Sequence, residues 1–517
     1  MLARLKTFTT IGLQAHLVDV EVDTVRNANE PSVHPTITTV GLPEKAVRES
    51  SERVKRAIIN AGFRLPYDHI TINLAPAELP KHAASFDLPI ALGMLASTDS
   101  LSHDRLLEYA IVGELSLAGE TRPVRGALSM AIATARADGL RGIIVPSSNG
   151  QEATVVDGIE VIPVDSLQET VGFLDHRLSI APLEAIARHL LDASTHSLDF
   201  SDVRGQEMAK RALIIAAAGA HNLLMIGSPG AGKTMLAKRL PTILPQLTNA
   251  ESIESSQIYS VLGRLPTDSP LLTHRPFRAP HHTISQAGLV GGGSTPLPGE
   301  ISMSHNGVLF LDELPEFSRQ TLEVLRQPLE DQQVTISRAR GSATFPADFM
   351  LVAAMNPCPC GYRNDPHRSC QCLSPVVDKY LSRVSGPLLD RIDVQIEIPA
   401  VPFEDLSARE DGTASGKMLI DVQRAHRNQT ARFSDLDVRY NSQMAGPQIR
   451  KLCHLTRSAK ATLGKSITEL GFSARTHDKI LRVSQTIADM VDSPMIETEH
   501  VQEAVNYRLL DRRYWNR

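Results

Sequence analysis

The segment Gly227-Ser228-Pro229-Gly230-Ala231-Gly232-Lys233-Thr234 fits the spacing G-x-x-x-x-G-K-[ST] in full. Glycines at such positions let successive backbone N–H groups curl around an anion, and a helix starting at the lysine adds the positive end of its dipole. Lys233 is then set to reach β- and γ-phosphates, and the Thr234 hydroxyl to hold Mg²⁺, so the expected ligands are ATP and magnesium. A chance glycine turn is the competing explanation. The flanks argue against it, because NLLMIG reads as a strand before the loop and KTMLAKRLPTIL as a helix after it.

A second apolar run, Val308-Leu-Phe-Leu, ends in Asp312-Glu313. Charges at the end of a buried strand need a ligand, so Asp312 is expected to hold Mg²⁺ through water and Glu313 to activate the attacking water as general base. A third run, LVAAM, ends in Asn356, whose amide could orient that water or simply cap a turn before Pro357. Two arginines come next, Arg391 in LLDRID and Arg475 in SART. An arginine at the γ-phosphate stabilises charge developing in phosphoryl transfer and can come from a neighbouring subunit. Arg391 is expected to do so in trans and Arg475 in cis; Arg383 is the rival for Arg391, and surface salt bridges are the plainer alternative.

Four of the five cysteines, Cys358, Cys360, Cys370 and Cys372, fall within 15 residues. Two close thiolate pairs suit a tetrahedral structural zinc, although C-x-C is tighter than the usual C-x₂-C. His367 could replace one ligand, and unligated thiols or redox chemistry are the alternatives. Cys453 stands alone and reads as a small buried apolar residue. QVTISRARGSATFPA (333–347) reads as a hairpin whose turn carries Arg338 and Arg340, placed to grip DNA phosphates without reading sequence, or else as a solvated tip. RPFRAPHH, with Arg275, Arg278, His281 and His282, could touch DNA or pack between subunits.

The elements that must position these groups fall into blocks. Residues 1–175 alternate strands (HLVDVEVDTV, ITINLA, GIIVP) with helices (AVRESSERVKRAIINAGF, with Val47, Val54, Ile58 and Ala61 on one face, and ALSMAIATARADGL). A linker with one short helix is expected over 176–200, an α/β nucleotide-binding core over 201–411, and a charged helical lid over 412–517. At 517 residues, 42% apolar and 21% charged, the chain is expected to be soluble and multidomain. It has no apolar run of membrane-spanning length and its amino terminus does not read as a signal peptide, so a cytoplasmic location without a membrane partner is expected. The net charge of −5 decides nothing about nucleic acid, since DNA motors can be acidic overall and basic locally.

In this order the motifs resemble the magnesium-chelatase-like AAA+ family, in its ComM/YifB branch. The most specific pieces are VGLPEKAVRESSERV (40–54), LPKHAASFDLPIAL (79–92), RPFRAPHHTIS (275–285), GGGSTPLPGEISMSHNGVLFLDELPEF (291–317), NPCPCGY (356–362) and GPLLDRIDVQIEIP (386–399). The resemblance implies an α/β fold: a P-loop AAA+ core with its parallel sheet between helices, an amino-terminal Lon-protease-like α/β domain and a carboxyl-terminal α-helical lid. It also implies a homo-hexameric ATPase acting on single-stranded and branched DNA, with recombination proteins as further partners. ComM proteins are branch-migration helicases of natural transformation. By similarity Asn356 matches sensor 1, Arg391 the arginine finger and Arg475 sensor 2. The Lon-like match runs through VGELSLAGETRPVRGAL (112–128). It puts Ser85 near the place of a nucleophile but Leu128 where a lysine base is needed, so that domain reads as a non-catalytic scaffold. Two other functions compete: a chelatase-type remodeller of a partner protein, and an ATP-dependent protease, which the missing lysine disfavours.

Overall fold

The structure, a computed structural model, describes residues 2–25, 36–41, 45–65, 69–81, 84–184, 197–266, 269–338, 341–363, 365, 368–401 and 412–515. The short helix expected in the 176–200 linker, together with Arg340 and His367, lies outside them. So does the side chain of Val47.

The amino-terminal block is a seven-stranded mixed sheet. Its strands are β1 (Leu2–Ile11), β2 (Gln14–Val25), β3 (Thr36–Val40), β4 (His69–Ala75), β5 (Tyr109–Ile111), β6 (Gly142–Pro146) and β7 (Glu160–Val164), in the order β3-β4-β2-β1-β5-β6-β7. Alternation sets the inner face: Val18, Val20 and Val22 of β2 and Ile70, Ile72 and Leu74 of β4 are all buried, with Val20 opposite Leu74. Val54, Ala57 and Ile58 of the helix Lys45–Asn60 and the wholly buried helix Asp87–Ala96 cover that face. β1 has no counterpart among the strands expected from the sequence. Its buried positions include Ala3, Thr7 and Thr9, so the apolar alternation is too weak to read.

A second sheet has five parallel strands: β8 (Leu223–Gly227), β9 (Phe277–Arg278), β10 (Val308–Leu311), β13 (Met350–Met355) and β14 (Val394–Ile398), in the order β9-β10-β13-β8-β14. Both faces are covered, which is why these strands read as continuous apolar runs. Leu223 and Met225 face the helix Glu207–Gly219 and the carboxyl-terminal helices, while Leu224 and Ile226 face the opposite core. Between β10 and β13 the chain makes the antiparallel hairpin β11 (Gln333–Arg338) and β12 (Gly341–Pro346). Val334, Ile336, Ala343 and Phe345 anchor its base in that second core.

The carboxyl-terminal block is helical: Ser415–Arg432, Gly446–Leu452, Arg457–Leu470, Ala474–Met490, Thr498–Asn506 and Leu509–Tyr514. Met418, Val422, Val483 and Ile487 share one apolar cluster with the helix Glu207–Gly219, so lid and core are packed as one body. Cys453 is buried in this cluster.

The amino-terminal block docks on the core helix Asn249–Leu262. Ser260 Oγ donates to Glu152 Oε2 at 2.6 Å, and Gly126 N donates to the Ser260 carbonyl at 3.0 Å. Burial pushes the Glu152 carboxyl above the usual carboxylate range. A second contact lies at the β1–β2 turn, where a Cβ on Gly12 would meet Ala343 Cβ of the hairpin at 3.3 Å. Ser85 is buried and its hydroxyl has no hydrogen-bond partner among the described residues, while Leu128 is fully buried.

Candidate active site

The carboxyl ends of β8, β10 and β13 lie side by side, which brings Gly227, Asp312 and Asn356 together from far-apart segments. After Gly227 the chain turns through Gly230 (φ +81°) and Gly232 (φ +87°), and the helix Lys233–Arg239 begins. A Cβ at either glycine would meet only open space, so backbone conformation, not crowding, selects glycine there. Lys233 Nζ donates to the Gly227 carbonyl at 2.7 Å, to the Ser228 carbonyl at 3.0 Å and to Asn356 Oδ1 at 3.2 Å. Burial holds this amine below the usual lysine range, opposed by Asp312 and Glu313. The Thr234 hydroxyl donates to Asp312 Oδ2 at 2.6 Å. Open-space glycines, an aimed lysine, and a hydroxyl paired with a carboxylate fit a triphosphate with a hard divalent cation.

Glu313 has a left-handed backbone, φ 53°, on a residue type that rarely adopts one. Its Oε2 lies 3.3 Å from Nδ1 of His282, which stands after the edge strand β9. The sequence left the RPFRAPHH segment open between DNA contact and packing between subunits; its arginines are engaged inside the chain. Arg275 is buried against Glu251 at 3.1 Å and donates to the Asn306 carbonyl, and Arg278 pairs with both oxygens of Glu300 at 2.6 and 2.8 Å. His281 contacts the Thr283 hydroxyl, and its ring lies 4.1 Å from that of His282.

Arg391 and Arg475 lie at the opposite end of the sheet. Asn222, at the start of β8, donates its side-chain amide to the Arg391 carbonyl at 2.8 Å. The five residues of β8 separate that point from Gly227 by roughly 16 Å at the usual strand rise. Arg391 pairs with Glu330 at 2.6 Å, and Arg475 with Asp390, next to Arg391, at 3.0 Å. The expectation that Arg475 works in cis is therefore corrected: the lid helix Ala474–Met490 packs at the strand starts and carries this arginine away from its own chain's phosphate loop. Arg383 is at the other end, paired with Glu316 at 2.8 Å just beyond Glu313.

Lys479 of the same lid helix donates to the Ile392 carbonyl at 2.9 Å, and Arg508 donates to that carbonyl at 2.6 Å. The lid thus holds the loop that carries Arg391. No periodicity in the sequence singles out a lysine buried against backbone carbonyls.

The four sulfurs of Cys358, Cys360, Cys370 and Cys372 lie within 4.8 Å of one another. Cys358 Sγ is 3.4 Å from Cys360 Sγ and 3.6 Å from Cys370 Sγ. Four thiolates about 2.3 Å from one zinc ion stand about 3.8 Å apart, so the cluster has the size of a tetrahedral site. Arg338 is exposed at the end of β11 and pairs with no carboxylate among the described residues. No helix among the described residues is long and apolar enough to cross a membrane.

A parallel five-stranded sheet with this loop at its strand ends, followed by a helical lid, defines a P-loop ATPase fold of the AAA+ class. Comparison with known proteins narrows it. Family models match for magnesium chelatase subunit ChlI over residues 199–406, for subunit ChlI of Mg-chelatase over 20–149, and for the ChlI carboxyl-terminal region over 412–508. The chain is 43% identical to YifB of Escherichia coli (strain K12) over 510 residues, covering 98% of this chain and 97% of that one. It is 42% identical to competence protein ComM of Haemophilus influenzae over 512 residues, covering 97% and 96%. Lon protease 2 of Bacillus subtilis is 28% identical over 186 residues, 34% of this chain and 32% of that one. The chain belongs to the ComM/YifB family of magnesium-chelatase-like AAA+ proteins.

Proposed function

We propose that this protein is an ATP-driven DNA motor, a homo-hexameric ring helicase that moves DNA branch points, and that it serves recombination during natural transformation. The observation that carries the reading is the division of one ATPase site between opposite ends of the sheet. Lys233, Asp312, Glu313 and Asn356 converge at one end, whereas Arg391 and Arg475 stand about 16 Å away at the other. Neither arginine serves its own chain's pocket; a neighbouring copy, docked end to end, supplies them in trans.

In this reading the backbone of residues 227–233 and the Lys233 amine bind and orient the triphosphate. Thr234 and Asp312 hold magnesium, which supplies charge neutralisation on the phosphates. Glu313 takes the proton of the attacking water, Asn356 orients that water, and the neighbour's Arg391 and Arg475 stabilise the charge that develops. The four cysteines hold a structural zinc. Arg338, with Arg340, grips DNA phosphates in the ring's pore. The near full-length likeness to competence protein ComM supports the DNA reading, and the exposed Arg338, paired with no carboxylate among the described residues, agrees with it.

The test is ATP-driven branch migration of a labelled four-way junction by wild type and Glu313→Gln. Migration by wild type alone is expected. Because all three matching family models are of a chelatase subunit, the second reading is a protein remodeller. An ATPase that is indifferent to every DNA, with no migration, decides for it.

A further inference from the structure

The cysteine cluster is not remote from the phosphate loop. It begins two residues after Asn356, whose side chain contacts Lys233, and the segment from Cys358 folds back over the loop. Gly361 packs against Pro229: a Cβ there would lie 2.5 Å from Pro229 Cδ, and the residue sits at φ +84°, so both crowding and conformation demand glycine. The Ser228 hydroxyl donates to Asp365 Oδ2 at 2.9 Å. The cysteine segment thus meets Ser228, Pro229 and, through Asn356, Lys233. Yet the described residues from Cys358 to Cys372 form no helix or strand, so no backbone ladder holds them in this shape. The four sulfurs converge from both ends of the segment, so an ion held by all four would tie those ends together.

We propose that metal occupancy of the four-cysteine site and nucleotide binding at residues 227–234 are linked, so that a thiophilic tetrahedral ion, zinc, tightens nucleotide binding by holding the 358–372 segment against the phosphate loop. The proposal rests on reading 227–234 as the nucleotide site. Linkage is reciprocal, so bound nucleotide also tightens the hold on zinc by the same factor. Coupling between neighbouring sites commonly falls between fivefold and 150-fold, and a three-point contact of this size is assigned about tenfold.

The experiment uses the full chain. Zinc content is measured by mass spectrometry before and after stripping with a zinc chelator under reducing conditions, and affinity for a fluorescent ADP analogue is titrated in magnesium buffer. One zinc per chain is expected, with nucleotide affinity about tenfold weaker after stripping and restored on reloading. Asp365→Ala guards against simple unfolding: it is expected to keep its zinc yet bind the analogue severalfold more weakly. An affinity unchanged by stripping overturns the proposal, as does a wild type without stoichiometric zinc, or Asp365→Ala with zinc and full affinity. Lys233→Ala separates the two levels. If that variant binds the analogue like wild type, the nucleotide-site reading itself falls. If it loses binding while stripping has no effect, the linkage alone falls.

Discussion

Glu313 combines two features that bear on catalysis. Its left-handed backbone costs on the order of 1–3 kcal/mol, strain that persists where the surrounding structure fixes a reactive group. Its carboxylate is met by His282, from the segment that follows an edge strand, so the proposed base is tied to an insert outside the phosphate loop. Replacing Glu313 by Gln preserves shape and removes the proposed proton acceptor. ATP turnover is expected to fall at least about a hundredfold with nucleotide affinity retained, read by steady-state hydrolysis and analogue titration. His282→Ala is expected to release the base from the insert, so the ratio of DNA-stimulated to basal ATPase drops towards one. An unchanged ratio would leave His282 as a packing residue. The phosphate-loop residues were legible in the sequence because their chemistry is carried by contiguous spacing. His282 stands out within RPFRAPHH, but its partner Glu313 lies 31 positions away, and only strand adjacency brings them together.

Among the elements, the lid helix Ala474–Met490 does the most positioning. It carries Arg475 and, through Lys479, fastens the loop of Arg391, so both arginines answer to one rigid helix. Arg391→Ala is expected to assemble normally and bind ATP but hydrolyse it about a thousandfold more slowly. Mixing it with Glu313→Gln should restore some activity, because each supplies the half the other lacks. If mixing restores nothing, the arginine does not act across a subunit boundary. Lys479 adds a pH signature. Burial, with Arg508 beside it, pushes its amine down to about 8 from an ordinary 10.5. Between those values the unfolded lysine is protonated and the folded one is not, so unfolding takes up a proton and stability rises with pH. Lys479→Met should remove that rise between pH 8 and 10.5 from the thermal midpoint, relative to wild type. The sequence offered the lid as a run of helices. It offered no sign of which end of the sheet they would cover, because a helix periodicity gives the buried face and not the partner. Sequence alone therefore cannot tell that Arg475 faces away from its own chain's pocket.

At the scale of the molecule, the lid shares an apolar cluster with the core sheet, whereas the amino-terminal sheet is joined to that core at specific contacts. The Ser260–Glu152 hydrogen bond is buried between the amino-terminal block and the core. Ser260→Ala leaves Glu152 short of a partner and is expected to cost about 1–3 kcal/mol of docking, seen in calorimetry as an early separate transition of one block. A single unshifted transition would place the docking energy elsewhere. Alternation made β2 and β4 readable in the first sheet, and continuous apolar runs did the same for β8, β10 and β13 in the second, while the other strands of the second sheet, β9 and β14, went unread. The interface between the amino-terminal block and the core rests on isolated residues, the Ser260–Glu152 hydrogen bond and the Gly12 turn against Ala343 among them, and such contacts leave no periodic trace.

The turn at Gly12, resting on Ala343, changes how the hairpin bears load. A two-stranded arm rooted only at its base is a cantilever, deflecting most at its tip. Here the seven-stranded sheet props one flank and is itself anchored on the helix Asn249–Leu262. The arm therefore behaves as a braced strut: a lateral force at Arg338 is passed into the amino-terminal block and on to the core by a second path, instead of being lost as bending.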